Sequence, residues 1–425
     1  MSDAAASASG LRAYIAVTAA YWAFMLTDGA LRMLVLLHFH SLGFSPLQLA
    51  YLFLLYEVMG IVTNLSAGWL AARFGLTSTL YGGLSLQIIA LVALAILDPS
   101  WGIVASTIYV MTVQGMSGIA KDLSKMSSKS AVKLLAPDEG TALFRWVAML
   151  TGSKNAVKGF GFFVGAALLG LIGFKSAVIA MAACLAVILV AIVLFMPRGL
   201  PAGRKGTKMS AVLPKDRDIR ALSLARVFLF GARDTWFVVG IPVFFYSVLS
   251  DGTPDSARRA FFLIGTFMAC WVIFYGVVQA SAPRLLARQT TTLPGTVQAT
   301  TFWVGMLTLI PTVLAAAVIL DPPGLTWVIV VGLIGFAVVL ALNSALHSYL
   351  ILAFTKDDRV TLDVGFYYMA NACGRLLGTL LSGLCFQLGG VALCLAAAGA
   401  MAGLSWLSAR RLAQRHRISP QTISD

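Results

Sequence analysis

Apolar residues run along this chain in blocks of about 20 or more, the length an α-helix needs to cross a bilayer. Short polar breaks divide the blocks. The pattern predicts spans near 12–38, 46–70, 77–97, 102–120, 143–171, 175–196, 222–248, 259–281, 298–319, 325–353, 363–387 and 390–409. The fold class expected is an all-α membrane protein of about twelve transmembrane helices. The longest polar stretch, PRGLPAGRKGTKMSAVLPKDRDIR from Pro197, divides it. This gives an N-terminal six-helix half (1–196), a basic cytoplasmic linker (197–221), a C-terminal six-helix half (222–411) and a cytoplasmic tail (412–425).

Composition agrees with the pattern: 59% of residues are hydrophobic, 11% are charged, and the mean hydropathy is +0.88, outside the range of soluble domains. The opening MSDAAASASG has no basic region and no small-residue cleavage site, so the first helix is expected to be a span and not a signal peptide. Basic residues concentrate in segments predicted to lie inside: Arg12, Arg73, Lys125, Lys129, Lys133, the stretch from Arg198 to Arg220, Arg284, Arg288, Lys356, Arg359, Arg410, Arg411, Arg415 and Arg417. The outside loops carry Lys175, Arg258 and Arg259. The positive-inside rule then puts both termini in the cytoplasm. Basic loops beside anionic lipid explain the net charge of +14 without a nucleic-acid partner.

Neither the five cysteines nor the four histidines cluster at metal-ligand spacing, so no metal or cofactor is expected. A membrane-embedded enzyme would need a polar catalytic cluster, and the adjacent acids Asp357 and Asp358 stand in a short turn without a second set. A cation exporter would show an acid-dominated interior. This chain shows the opposite.

Eight ionisable residues fall near the middle of predicted spans: Asp28, Arg32, Glu57, Lys154, Lys158, Arg233, Asp234 and Arg375. Five bases against three acids leave a formal sum of +2. A charge at the bilayer centre costs about 2.5–3.5 kcal/mol on the mildest scale, so such residues face a bundle interior or a watered cavity. Together they describe a site for an anion.

Lys154 and Lys158 stand one helical turn apart and project from one face, with Asn155 adjacent; they suit phosphate or arsenate, or else pair with Asp28 or Glu57. Asp28 precedes Arg32 by four residues, which fits an intrahelical ion pair or an Arg32 that faces substrate. Glu57 has no basic neighbour a turn away and suits either a proton carrier or a partner for a cation. Arg233 and Asp234 are adjacent and expected to point about 100° apart, toward different walls. Arg375 suits bidentate recognition of an oxyanion or caps backbone carbonyls. Asn371 joins these substrate-binding candidates, and Asn64 and Asn343 rank below them. Lys121, Lys125, Lys129 and Lys133 form an i,i+4 row predicted to make a basic surface stripe, for lipid or for collecting anions.

The halves are weakly alike. The mid-helix acid–base pair Asp28/Arg32 corresponds to Arg233/Asp234, and Asn155-Ala156 before Lys158 corresponds to Asn371-Ala372 before Arg375. Two such repeats with substrate between them is the plan of a secondary transporter.

Over nearly its whole length the chain resembles the major facilitator superfamily. Gly68-Trp-Leu-Ala-Ala-Arg-Phe-Gly75 is similar to that family's signature between its second and third helices, with Gly68, Arg73 and Gly75 as the matching gating-loop residues and Ala72 where the family has Asp. The stretches Tyr21–Glu57 and Lys121–Phe163 resemble the organoarsenical efflux permeases of bacterial arsenic-resistance operons. That resemblance implies a multi-pass, monomeric protein of the bacterial inner membrane. Its small anionic substrate would be 1-arseno-3-phosphoglycerate, supplied by glyceraldehyde-3-phosphate dehydrogenase as a functional partner. Another organic anion, a sugar phosphate or arsenate itself stays open as the cargo.

Overall fold

Among the described residues, ten helical segments are long and apolar enough to cross a membrane. Two of them, Ser153–Phe195 with 43 residues and Asp363–His416 with 54, are about twice the length one crossing needs. Each is interrupted by glycine in a non-helical conformation, and the number of candidate spans differs from the twelve expected. The computed structural model describes residues 3–135, 140–195, 216–355 and 360–418. Residues 197–215 of the expected linker, Lys356 to Arg359, and the tail from 419 lie outside the described residues, as do the side chains of Gly68, Lys129 and Lys133.

The elements are α1 (Asp3–Ser41), α2 (Pro46–Leu52), α3 (Leu54–Ala95), α4 (Ile103–Leu135), α5 (Gly140–Phe195), α6 (Arg217–Phe237), α7 (Gly240–Leu249), α8 (Pro254–Leu285), α9 (Leu293–Leu320), α10 (Leu325–Phe354) and α11 (Val360–Ile418). Gly75 turns α3 at φ 74°, ψ 176°, and Gly173 turns α5 at φ 75°, ψ 175°. Only glycine enters that region readily. The signature glycine Gly75 thus breaks α3. In α11 the turn is made by Gly389 and Gly390.

The chain forms two compact units. Unit 1 contains Met1–Phe44, Tyr51–Ser210 and Phe245–Ile273; unit 2 contains Ser45–Ala50, Ala211–Phe244 and Phe274–Asp425. Two segments therefore cross the six-helix division expected from the linker. Within unit 1 the start of α8 packs on α5, where a Cβ on Gly159 would lie 3.0 Å from the Ala269 carbonyl oxygen. Within unit 2 the short α2 packs on α11, where the Leu47 N–H donates to Gln387 Oε1 at 3.3 Å.

Each unit is built on one close helix crossing. In unit 1, a Cβ on Gly165 would stand 2.1 Å from the Ala30 carbonyl oxygen, one on Gly161 2.4 Å from that of Leu26, and one on Gly29 2.4 Å from that of Lys158. Helices α1 and α5 thus touch backbone to backbone. In unit 2, α6 and α11 do the same: a Cβ on Gly374 would lie 2.2 Å from the Val227 carbonyl oxygen, and one on Gly378 2.7 Å from that of Gly231. Small residues are the usual means of such approach inside membranes. Outward faces are apolar, with Phe195 81% and Leu320 79% exposed, as expected of side chains that meet lipid.

One helix is broken. Between α6 and α7 the N–H groups of Val239 and Gly240 both donate to Ser382 Oγ, each at 3.0 Å. The hydroxyl satisfies donors that the interrupted helix leaves open. In the loop before α8, Asp251 Oδ1 accepts from the Ser256 hydroxyl and from Thr253, which holds its carboxyl low, at about 2.

The crossings give a first expected outcome. Gly165→Ala or Gly378→Ala should force the paired helices apart and destabilise the protein by about 1–3 kcal/mol. Gly82→Ala, with nothing within 4 Å of the added Cβ, should be neutral or slightly stabilising. Thermal unfolding of the three variants in detergent checks this; equal melting temperatures would show that the crossings are not tight.

Candidate functional site

In unit 1 the α1–α5 crossing sets Asp28 against Lys158, Oδ2 to Nζ at 2.5 Å. The Tyr56 hydroxyl donates to Asp28 Oδ1 at 2.6 Å. Arg32, one turn along α1, does not pair with Asp28. Its guanidinium reaches Glu57 on α3 at 2.7 Å and lies 5.2 Å from the Phe53 ring centroid and 5.4 Å from that of Tyr56. The intrahelical spacing was a poor guide here because opposite charges on neighbouring helices come closer than an i,i+4 pair on one helix does. Asp28 and Glu57 are both buried, so each carboxylate is held by a basic partner and not by water. Lys154 and Asn155 lie half-buried on α5, in the turn before Lys158.

A second polar cluster joins α3 and α4. Asp122, buried, accepts from the Thr63 hydroxyl at 2.5 Å and from Asn64 Nδ2 at 3.4 Å. Lys125 Nζ donates to Asn64 Oδ1 at 2.8 Å and to Asp122 at 3.4 Å. Lys121 is buried, its Nζ 4.2 Å from the Tyr56 ring centroid. The expected basic stripe therefore fails at its first two members. Helix α4 runs on to Leu135, and Lys121 and Lys125 face α3.

In unit 2 Asp234 is fully buried and gathers two arginines: Arg233 Nε at 2.6 Å and Arg375 Nε at 3.7 Å. The expectation that Arg233 and Asp234 face different walls is corrected. The Cβ atoms do diverge, but the long arginine side chain bends back over Phe230, its guanidinium carbon 4.8 Å from that ring. Gly378 makes room, since a Cβ there would come within 2.8 Å of Asp234 Cβ. The repeat is thus visible in the chemistry. In both units an acid on the first helix of the half meets a base on the helix that crosses it through glycine.

Asn371 accepts from Arg226 Nε at 3.1 Å. The sequence reading passed over Arg226, as it did Asp122, because it lay near the expected start of a span at 222. In fact α6 begins at Arg217. The available signal was its seven-residue spacing from Arg233, which puts both on one face of α6. Asn343 is buried and bonds back to the Val339 carbonyl at 3.0 Å. Arg73 is exposed, its guanidinium 6.0 Å from the Phe74 ring centroid. Among the described residues no cluster of His, Cys, Asp and Glu is arranged to hold a metal ion.

The whole chain is similar in fold to solved transporters. It matches a point mutant of the nucleoside transporter NupG with TM-score 0.69 at 16% identity, over 95% of this chain and 98% of that one. It matches a bacterial homologue of the iron transporter ferroportin, in an inward-facing state, with TM-score 0.68 at 14% identity, over 95% and 99%. A POT family transporter in complex with 5-aminolevulinic acid gives TM-score 0.71 at 14% identity, over 94% and 96%. No protein-family model and no curated protein matches the sequence. The protein is an all-α, multi-pass membrane protein with the major facilitator fold.

The pairing makes a second expected outcome. Double-mutant cycles on thermal stability should give coupling of about 0.5–3 kcal/mol for Arg32/Glu57 and for Asp28/Lys158. Neutralising one partner alone should cost about 3–5 kcal/mol. The Asp28/Arg32 cycle should give the smallest coupling of the three. If it gives the largest, those two pair with each other.

Proposed function

We propose that this chain is a secondary transporter of the bacterial inner membrane, with both termini in the cytoplasm. It exports an organic anion, 1-arseno-3-phosphoglycerate, and so confers arsenate resistance. The reading that the chain works as a monomer in two six-helix halves, with Gly68, Arg73 and Gly75 in its gating loop, belongs to the same proposal. The observation that carries it is the surplus of basic groups in the interior: among the described residues the half-buried Arg32, Lys125, Lys154, Lys158, Arg233 and Arg375, with buried Lys121 and Arg226, outnumber the buried acids Asp28, Glu57, Asp122, Asp234 and Asp363. Arg226 is buried with no carboxylate in ion-pairing range among the described residues, and Arg233 and Arg375 converge on the single carboxylate of Asp234. An interior of this sign favours an anionic cargo over a cationic one. The solved structures of similar fold are named for transport, of nucleosides and iron in two cases, and this supports transport as the class.

Basic groups occur in both sequence halves, on α1, α5, α6 and α11. That distribution suits a molecule with anionic groups at both ends better than a compact oxyanion. Lys154, Lys158, Arg32, Arg233, Arg375, Asn155 and Asn371 are the proposed substrate contacts. Asp28, Glu57 and Asp234 are the groups that take up or release these cations, or protons, as substrate arrives.

Everted vesicles that carry the protein are expected to accumulate arsenic when arsenate is given with glyceraldehyde-3-phosphate dehydrogenase, its nicotinamide cofactor and glyceraldehyde 3-phosphate. Uptake from arsenate alone at a similar rate would leave an arsenate transporter instead. In cells, Lys154→Ala should severely reduce arsenate resistance at unchanged membrane abundance, and Lys158→Ala should reduce it as well, together with the loss of stability expected when Asp28 is left without its partner. Full resistance in both would remove α5 from the substrate path.

A further inference from the structure

We propose that Arg226, Ser344 and His347, with Asn371 behind them, form an oxyanion site inside unit 2 that takes one anionic end of the transported molecule. The proposal rests on the organic-anion reading above and adds to it a place and a set of donors. Arg226 is 5% exposed, and its guanidinium is fixed between rings, 3.9 Å from the Phe230 centroid and 5.1 Å from that of Tyr367. A guanidinium has five N–H donors. Nε donates to Asn371 Oδ1 at 3.1 Å and a terminal nitrogen to Ser344 Oγ at 3.3 Å, the Tyr367 hydroxyl is within the guanidinium's reach, and all three acceptors are neutral. A buried cation without a counter-charge is costly, and the cost falls when an anion arrives from outside the chain.

The neighbours also present donors. Ser344 Oγ accepts from Arg226 and, at 3.1 Å, from Gln279 Nε2. Two accepted bonds occupy both lone pairs and leave the hydroxyl proton to be donated. His347 stands one turn further along α10, is fully buried, and has no hydrogen-bond partner at either ring nitrogen. It lies within electrostatic reach of the Arg226 charge. Guanidinium, hydroxyl and imidazole N–H thus collect in one place, and no carboxylate among the described residues is in ion-pairing range of the guanidinium. Phosphoryl and carboxylate groups are the ligands whose oxygens accept from such a set, and the planar guanidinium fork matches them. Arg233, two turns along the same face of α6 and roughly 10 Å away, is already held by Asp234. Arg226 is therefore the better placed of the two to change partners.

A purely structural Arg226 would show the same contacts, so the test uses two substitutions with opposite effects on stability. Arg226→Gln removes the cation. Asn371→Asp supplies a carboxylate where Oδ1 now sits and should occupy the guanidinium permanently. The measurement is equilibrium binding of labelled 3-phosphoglycerate, a stable phosphorylated carboxylate, to the full-length protein in lipid nanodiscs, with thermal unfolding alongside. Wild type is expected to bind saturably. Both variants should bind at least about tenfold more weakly, while Asn371→Asp melts no lower than wild type; Arg220→Gln, on the exposed side of α6, should bind as wild type does. Losses below about threefold in both variants would overturn the site and leave the organic-anion reading standing. Absence of saturable binding to wild type would overturn both.

Discussion

The backbone contacts between α1 and α5, and between α6 and α11, are the constraint on which the interior chemistry depends. At Gly165 and Gly374 no side chain of any size fits between the helices. Because the helices meet this closely, short acids can reach bases on the partner helix: Asp28 reaches Lys158, and Asp234 reaches Arg375. Were the axes pushed apart by a methyl group on each side, the same carboxylates would be left buried without partners, which is the expensive state of an ion pair. The glycines therefore fix the electrostatics as well as the packing.

The two units handle their charge differently. In unit 1 the acids Asp28 and Glu57 each hold one base, and Tyr56 links them: its hydroxyl bonds Asp28, and its ring lies near Arg32 and Lys121. In unit 2 one acid, Asp234, serves two arginines, while Arg226 is surrounded by amide, hydroxyl and aromatic groups. Unit 1 therefore contains one-to-one acid–base pairs between neighbouring helices, whereas in unit 2 two arginines share one acid and Arg226 is held by neutral groups.

Spans, membrane class and the internal repeat were legible because hydropathy over about 20 residues is a local property. The correspondence of Asp28 and Asp234 with bases on the crossing helix was legible too, through the Asn-Ala pairs at 155 and 371. What failed was the choice of partner. Spacing along one helix suggested Asp28 with Arg32 and denied Arg233 with Asp234, whereas the pairs are set by inter-helix distance and by the bend of a long side chain. A misplaced helix end put Lys121 on a surface stripe and hid Asp122. They read as loop because α4 was expected to stop near residue 120, yet it continues to Leu135.

The breaks at Gly75 and Gly173 have a practical consequence for anyone who needs to add length to this chain. Each interrupts a continuous helical element through a residue whose φ and ψ other amino acids do not share. An epitope or reporter inserted at either point would have to rebuild the turn. The segments at 250–253 and 321–324 are different: they connect separate helices, α7 to α8 and α9 to α10, and Asp251 and Asp321 are at the surface. Tags and fusion partners belong there, where exposed loop tips tolerate extra residues.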